Sequence, residues 1–208
     1  MPFLGLFIAV VCLFTFFRKR SNRSPENVTA RFWTRESIAN NTRLQDLSGL
    51  PYITIPFDKF PIGMYENDLL KNYENTLQTL SGQKIVNFGT QTNTDLKITY
   101  GTASLPALTE YEQNFTTLCQ TLTAYAGQLF ELGHTDDART ILEYGISIGS
   151  DLSQNYLLLA KIYQSSGETE RIRELLASAE QLDSLMKRSI VEKLTAMLPE
   201  DTANTPVQ

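Results

Sequence analysis

Histidine is almost missing from this chain: His134 is the only one among 208 residues. Metal sites need several ligands converging on one point, and a single imidazole with no cysteine or carboxylate cluster at ligand spacing does not supply them. Cysteine is equally scarce. Cys12 and Cys119 are the only two, far apart and the first inside an apolar run, so neither an internal disulfide nor an oxidising compartment is called for. No glycine-rich phosphate loop occurs. No metal, nucleotide or other cofactor is therefore expected. Basic residues thin out after the first 45 positions, where seven Lys and Arg stand against two Asp and Glu, a net of +5. Residues 46–208 hold eleven against twenty-one, a net of −10. Binding nucleic acid takes clustered cations to neutralise phosphates, so the acidic body argues against it as the principal partner.

Long apolar runs are also rare, with one exception. The opening MPFLGLFIAVVCLFTFF carries no charged side chain, and Arg18, Lys19 and Arg20 follow at once. As a helix it would extend roughly 25 Å, near the lower limit for spanning a bilayer. It has no basic stretch ahead of it and no small-x-small site behind it, unlike a cleaved signal. Residues 3–17 are therefore read as a transmembrane anchor and 18–50 as a basic juxtamembrane segment with a linker helix. The positive-inside rule then places the C-terminal body in the cytoplasm. Pro25 opens a helix predicted to reach Ala39. Its Phe32, Trp33, Arg31 and Arg35 suit either an interfacial helix lying on the membrane or a stalk whose aromatics dock on the domain.

Residues 51–108 read as a mixed region. Tyr52 to Ile55 is a short extended piece between Pro51 and Pro56, and Ile85, Val86 and Phe88 form a second that could pair with it. Between them, Leu69, Leu70, Tyr73, Leu77 and Leu80 give a helix predicted over 66–80 one apolar face. DLKITY at 95–100 is read as a short helix with Thr94 as its cap. From Thr109, with Glu112 in capping-box spacing, one long helix is predicted. Residues 199–208 have no periodicity and read as a tail.

From Leu122 to Leu185 the sequence repeats itself at an offset of 34. Leu122 falls on Tyr156, Tyr125 on Leu159, Ala126 on Ala160, Leu129 on Tyr163, Gly133 on Gly167, Leu142 on Leu176 and Gly145 on Ala179. Large meets large and small meets small. Each copy reads as two helices with a Gly closing the first. Thr135 is the expected cap of the second helix, and Asp151 with Gln154 the expected capping box of the next copy. Ser184 then opens a last helix carrying Met186, Ile190, Val191, Leu194 and Met197. A period of 34, a small residue inside the first helix and a Gly at the turn resemble the tetratricopeptide repeat, or TPR. The resemblance implies a mainly α fold of helical hairpins over 109–198, a fragment of an α-solenoid. Two repeats leave their ends open, so 51–108 is expected to cap one end and the last helix the other.

TPR proteins are binding scaffolds, and the resemblance implies that the first helices of successive repeats line a groove. At the 34-residue offset the rows are Gln120, Gln154 and Arg188; Thr123, Leu157 and Val191; and Gly127, Lys161 and Thr195. Phe130, Gln164 and Leu198 stand at the ends of the same helices. Such a groove suits an extended or helical peptide, anchored by its apolar members and contacted by Lys161 and Arg188. The function expected is a membrane-tethered adaptor for a protein or peptide at the cytoplasmic face, with no enzymatic activity. Two alternatives remain open, a small enzyme using Asp58, Asn87, Thr94 and Asp95, and a self-associating structural subunit. Gly145-Ile-Ser147-Ile-Gly149 matches the G-x-S-x-G pattern, but the nucleophile elbow needs a strand before its Ser. Here a helix is expected.

Overall fold

The computed structural model describes residues 29–199; the expected anchor at 3–17, the basic cluster at 18–23 and the tail beyond Pro199 lie outside them. Among the described residues there are eight α-helices and no strand, so the chain is mainly α. Helix α1 covers 29–41. It is followed by α2 (Asp68–Ser81), α3 (Asn93–Tyr100), α4 (Leu105–Glu131), α5 (Thr135–Ser147), α6 (Ser153–Ser165), α7 (Thr169–Glu180) and α8 (Lys187–Thr195). No described helix is long and apolar enough to cross a membrane. Among the described residues two compact units emerge, one of 29–47 with Thr92–Leu105 and the other of Ser48–Gln91 with 106–199.

In the first unit α1 and α3 are joined by polar side chains. Arg35 pairs with Asp95 and Glu36 with Lys97. The Thr94 hydroxyl donates to Glu36 at 3.0 Å, and the Thr102 hydroxyl to the Ala39 carbonyl at 3.1 Å. Helix α3 forms where DLKITY was expected to be helical, but its cap is Thr92 rather than Thr94. Thr92 stands three residues ahead of Asp95, and the two close a reciprocal capping box. Thr94 falls inside the first turn, leaving its hydroxyl free to reach α1.

The second unit holds the main core. Asn67 caps α2 by accepting from the Leu69 and Leu70 amides at 2.9 and 3.2 Å. Leu70, Leu77 and Leu80 of that helix join Ile55, Phe60 and Ile85 in one cluster with residues of α4 to α8. Each such side chain contributes about 1.5–3 kcal/mol on burial, so 51–91 packs as an integral part of this unit. The region is not mixed, because neither 52–55 nor 85–88 is a strand. They meet through one bond from the Ile53 amide to the Ile85 carbonyl at 2.9 Å. Pro51 and Pro56 remove donors on either side, and a two-stranded ribbon is marginal in any case.

The remaining helices pack in succession, α5 on α6, α6 on α7 and α7 on α8, with α8 also lying on α6. The two turns related by the 34-residue offset close in the same way. Gly133 has φ +86° and Gly167 φ +73°. The His134 amide donates to the Leu129 carbonyl at 2.9 Å and the Glu168 amide to the Tyr163 carbonyl at 2.8 Å, the wide bond of a Schellman closure. Helix starts differ from expectation because these turns are so short. His134 occupies the cap position and Thr135 is already helical. Leu152 caps α6 without a side-chain bond, while Asp151 accepts from the Ser184 hydroxyl at 2.6 Å. Helix α4 begins at Leu105 rather than Thr109, since Pro106 suits a first turn. Helix α8 ends at Thr195, and the Ser184 hydroxyl accepts from the Met186 amide at 3.2 Å ahead of it.

Candidate functional site

Gln154, Leu157, Leu158 and Lys161 stand at i, i+3, i+4 and i+7 on α6, so they share one face. Gly127, Phe130 and Glu131 form the matching stripe on α4. Together with Ser153 and Lys193 of α8, these residues line a cleft of about 630 Å³. Its floor is apolar and half-buried, from Phe130, Leu157 and Leu158. The Lys161 ammonium lies over the Phe130 ring, 5.0 Å from its centre, a cation–π contact that holds the charge beside an apolar anchor. Two lysines against Glu131 leave the cleft with one net positive charge. The Ser153 hydroxyl oxygen is enclosed at its edge without a hydrogen-bond partner among the described residues.

The helices around this cleft are fixed from behind by buried polar groups. Asn155 is fully buried; its amide donates to the Leu142 carbonyl at 3.1 Å and its oxygen accepts from the Thr123 hydroxyl at 3.3 Å. One side chain thus ties α6 to both α5 and α4. Gly145 leaves the room, since a Cβ there would come within 3.0 Å of the Asn155 oxygen. Ala126 and Ala160 are also fully buried. On the side of α5 and α7, the Arg139 and Arg171 guanidiniums lie over the Tyr163 ring, whose hydroxyl donates to Glu143 at 2.7 Å. Burial works to raise the Glu143 carboxyl, but the Tyr163 hydroxyl and both arginines outweigh it and hold it below the usual range.

Of the groove residues read from the sequence, Phe130, Gln154, Leu157 and Lys161 come together here with Gly127. The others lie elsewhere. Thr123 is buried, its hydroxyl donating to the Cys119 carbonyl at 2.8 Å as well as to Asn155. Gln164 donates to the Met197 carbonyl at 3.4 Å, and Val191 packs half-buried against the core. Gln120 is exposed outside the cleft lining, and Arg188 pairs with Glu192 one turn along its own helix at 2.8 Å. Glu131, Ser153, Leu158 and Lys193 were missed. The i, i+3, i+4, i+7 stripe on α6 was the signal for Leu158, whereas Lys193 follows only from where α8 lies on α6.

Of the polar residues considered for catalysis, Asn87 and Asp95 hold backbone, and Thr94 donates to Glu36. Asn87 donates to the Ile148 and Gly149 carbonyls at 3.2 and 3.4 Å, where α5 ends. Asp95 closes the capping box of α3 by accepting from the Thr92 amide at 3.0 Å, and the Thr92 hydroxyl and amide lower its carboxyl pKa. Asp58 is exposed in a 3₁₀ turn. Ser147 donates to the Tyr144 carbonyl at 2.7 Å, while the His134 ring stacks on Tyr65 with centres 3.7 Å apart. They sit at opposite ends of α5, about 20 Å apart at 1.5 Å per residue. Burial pushes the Cys119 thiol up to about 11, away from the reactive thiolate. A second cleft, of about 660 Å³, lies among Phe88, Phe115, Leu182 and Met186. Its rim hydroxyls are tied down, Thr90 to Asp183 and Ser184 to Asp151. Compared with known proteins, the chain matches no family model, no curated protein and no solved structure.

Proposed function

We propose that this chain is a membrane-tethered, TPR-like adaptor whose α4–α6–α8 cleft takes a peptide segment of a partner protein at the cytoplasmic face. The observation carrying this reading is the convergence of Phe130, Gln154, Leu157 and Lys161 in one open cleft. The two Schellman closures 34 residues apart, and the packing of α8 on α6, support the TPR-like assignment. An apolar floor flanked by lysines suits a segment that inserts one or two apolar side chains and sets a carboxylate against Lys161 and Lys193. Buried apolar anchors supply affinity, and the charge pair fixes register. The tether is the apolar run at 3–17, and the basic flank after it gives the orientation.

The test places a photocrosslinking amino acid at Leu157 in the full-length, membrane-bound protein. Its adduct is expected to disappear on Lys161→Glu with Lys193→Glu and to persist on Arg188→Glu, with thermal stability unchanged in each. Retention of the adduct after the lysine reversals would contradict the reading.

A further inference from the structure

The sequence holds a single tryptophan, Trp33, and it is 64% exposed beside Phe32, itself 52% exposed. The two rings meet edge to face, with centres 5.4 Å apart. Large aromatics bury 150–250 Å² each in a core, so leaving the only indole in water forgoes one of the largest gains this unit could make. The reason is visible in how α1 and α3 are joined. Their contacts advance together, from Arg35 with Asp95, through Glu36 with Lys97, to the Ala39 carbonyl with Thr102 just past the end of α3. Helix α3 starts only at Asn93, so the turn of α1 ahead of Arg35 projects past it. Phe32 shares a face with Glu36 and Ala39 at i, i+4 and i+7, yet it lies beyond the reach of this pairing. Arg31 is exposed on the same turn and makes no ion pair with a described residue.

We propose that this projecting turn, with Arg31, Phe32 and Trp33, lies in the headgroup region of a lipid bilayer. Trp33 stands sixteen positions after the apolar run ends at Phe17, and Arg18, Lys19, Arg20 and Arg23 outnumber Glu26 between them. Aromatic rings with an apolar body and a polar edge settle at the lipid–water boundary, and adjacent cations are drawn to anionic headgroups. The net of +5 in residues 1–45 against −10 in the remainder makes this end of the chain the one an anionic surface attracts. The inference deepens the tether reading: the chain is held at the surface by α1 as well as by residues 3–17.

Because Trp33 is the sole tryptophan, its emission reports on this turn alone. The full-length protein is reconstituted into phosphatidylcholine–phosphatidylserine vesicles, with and without acyl chains brominated near the headgroup. Co-sedimentation together with bromolipid quenching of Trp33 and loss of quenching by aqueous acrylamide is the expected result. Arg31→Glu with Phe32→Ser should reduce the bromolipid quenching while co-sedimentation persists. Co-sedimentation with Trp33 still open to acrylamide would overturn the inference and leave the tether standing. Failure to co-sediment would overturn both. A Trp33 shielded from acrylamide yet untouched by bromolipid would place it against protein, either a second copy or a partner, and would also overturn the inference.

Discussion

Asn155 concentrates at one residue the packing problem of the whole helical array. Its amide is fully buried, shared between the Leu142 carbonyl and the Thr123 hydroxyl, and fitted against Gly145. Gly145→Ala should cost about 1–3 kcal/mol, because the new methyl must displace an amide that cannot leave its hydrogen bonds. Asn155→Ala should cost a similar amount through the unpaired groups left behind. In the Asn155→Ala background the Gly145→Ala penalty should largely vanish, since the two side chains then no longer collide. Chemical denaturation of the four proteins checks this, and additive costs would contradict the packing. The sequence pointed to Gly145 as a small-residue slot matching Ala179, but its occupant comes from the next helix, which no local pattern reveals. Thr123 shows the same limit. A row offset by 34 residues placed it in the groove, whereas the register between α4 and α6 turns it inward to Asn155.

At the level of the elements, turns were more legible than caps. Gly133 and Gly167 stand at positive φ with matching closures, and a repeated Gly is a direct signal of a left-handed backbone position. Helix starts were poorly legible, because a turn this tight puts the capping position on whatever residue follows the Gly, here His134 and Glu168. Gly133→Ala and Gly167→Ala should each cost about 1 kcal/mol from backbone strain alone, as nothing stands within 4 Å of a Cβ at either site. Ala126→Leu and Ala160→Leu should cost more, about 1–3 kcal/mol, since both side chains are fully buried in the core. Thermal melts that rank the glycine variants as the more damaging would contradict this account. The helix over 66–80 was recovered within two residues at its start and one at its end, because its apolar face has a clear period. The extended pieces at 52–55 and 85–88 do meet, but form no strand, since Pro51 and Pro56 remove donors on either side of the first.

Across the whole molecule, buried and half-buried tyrosines couple stability to alkaline pH. Burial first, with the Cys119 and Asp151 charges adding to it, pushes Tyr144 and Tyr156 respectively up to about 12. Tyr125 is raised as well, by burial and then by its hydrogen bond to Glu74. A tyrosine whose folded pKa lies above its unfolded value keeps its proton while the unfolded chain loses it. The stabilisation is fully present below the unfolded value near 10 and is lost as pH rises from about 10 toward 12. The denaturation midpoint should therefore hold steady up to about pH 9 and fall by pH 11, with Tyr156→Phe flattening the fall. A midpoint unchanged at pH 11 would contradict these burials.

We propose that the cleft between α4, α6 and α8 receives a partner segment through its apolar floor and its two lysines. The most direct measurement is photocrosslinking from position 157 in native membranes, compared with the same probe at Gln120, which lies outside the cleft. An adduct at 157 that is absent at 120 and lost on joint reversal of Lys161 and Lys193 is the predicted result. Equal adducts at both positions, or an adduct at 157 indifferent to those lysines, would contradict it.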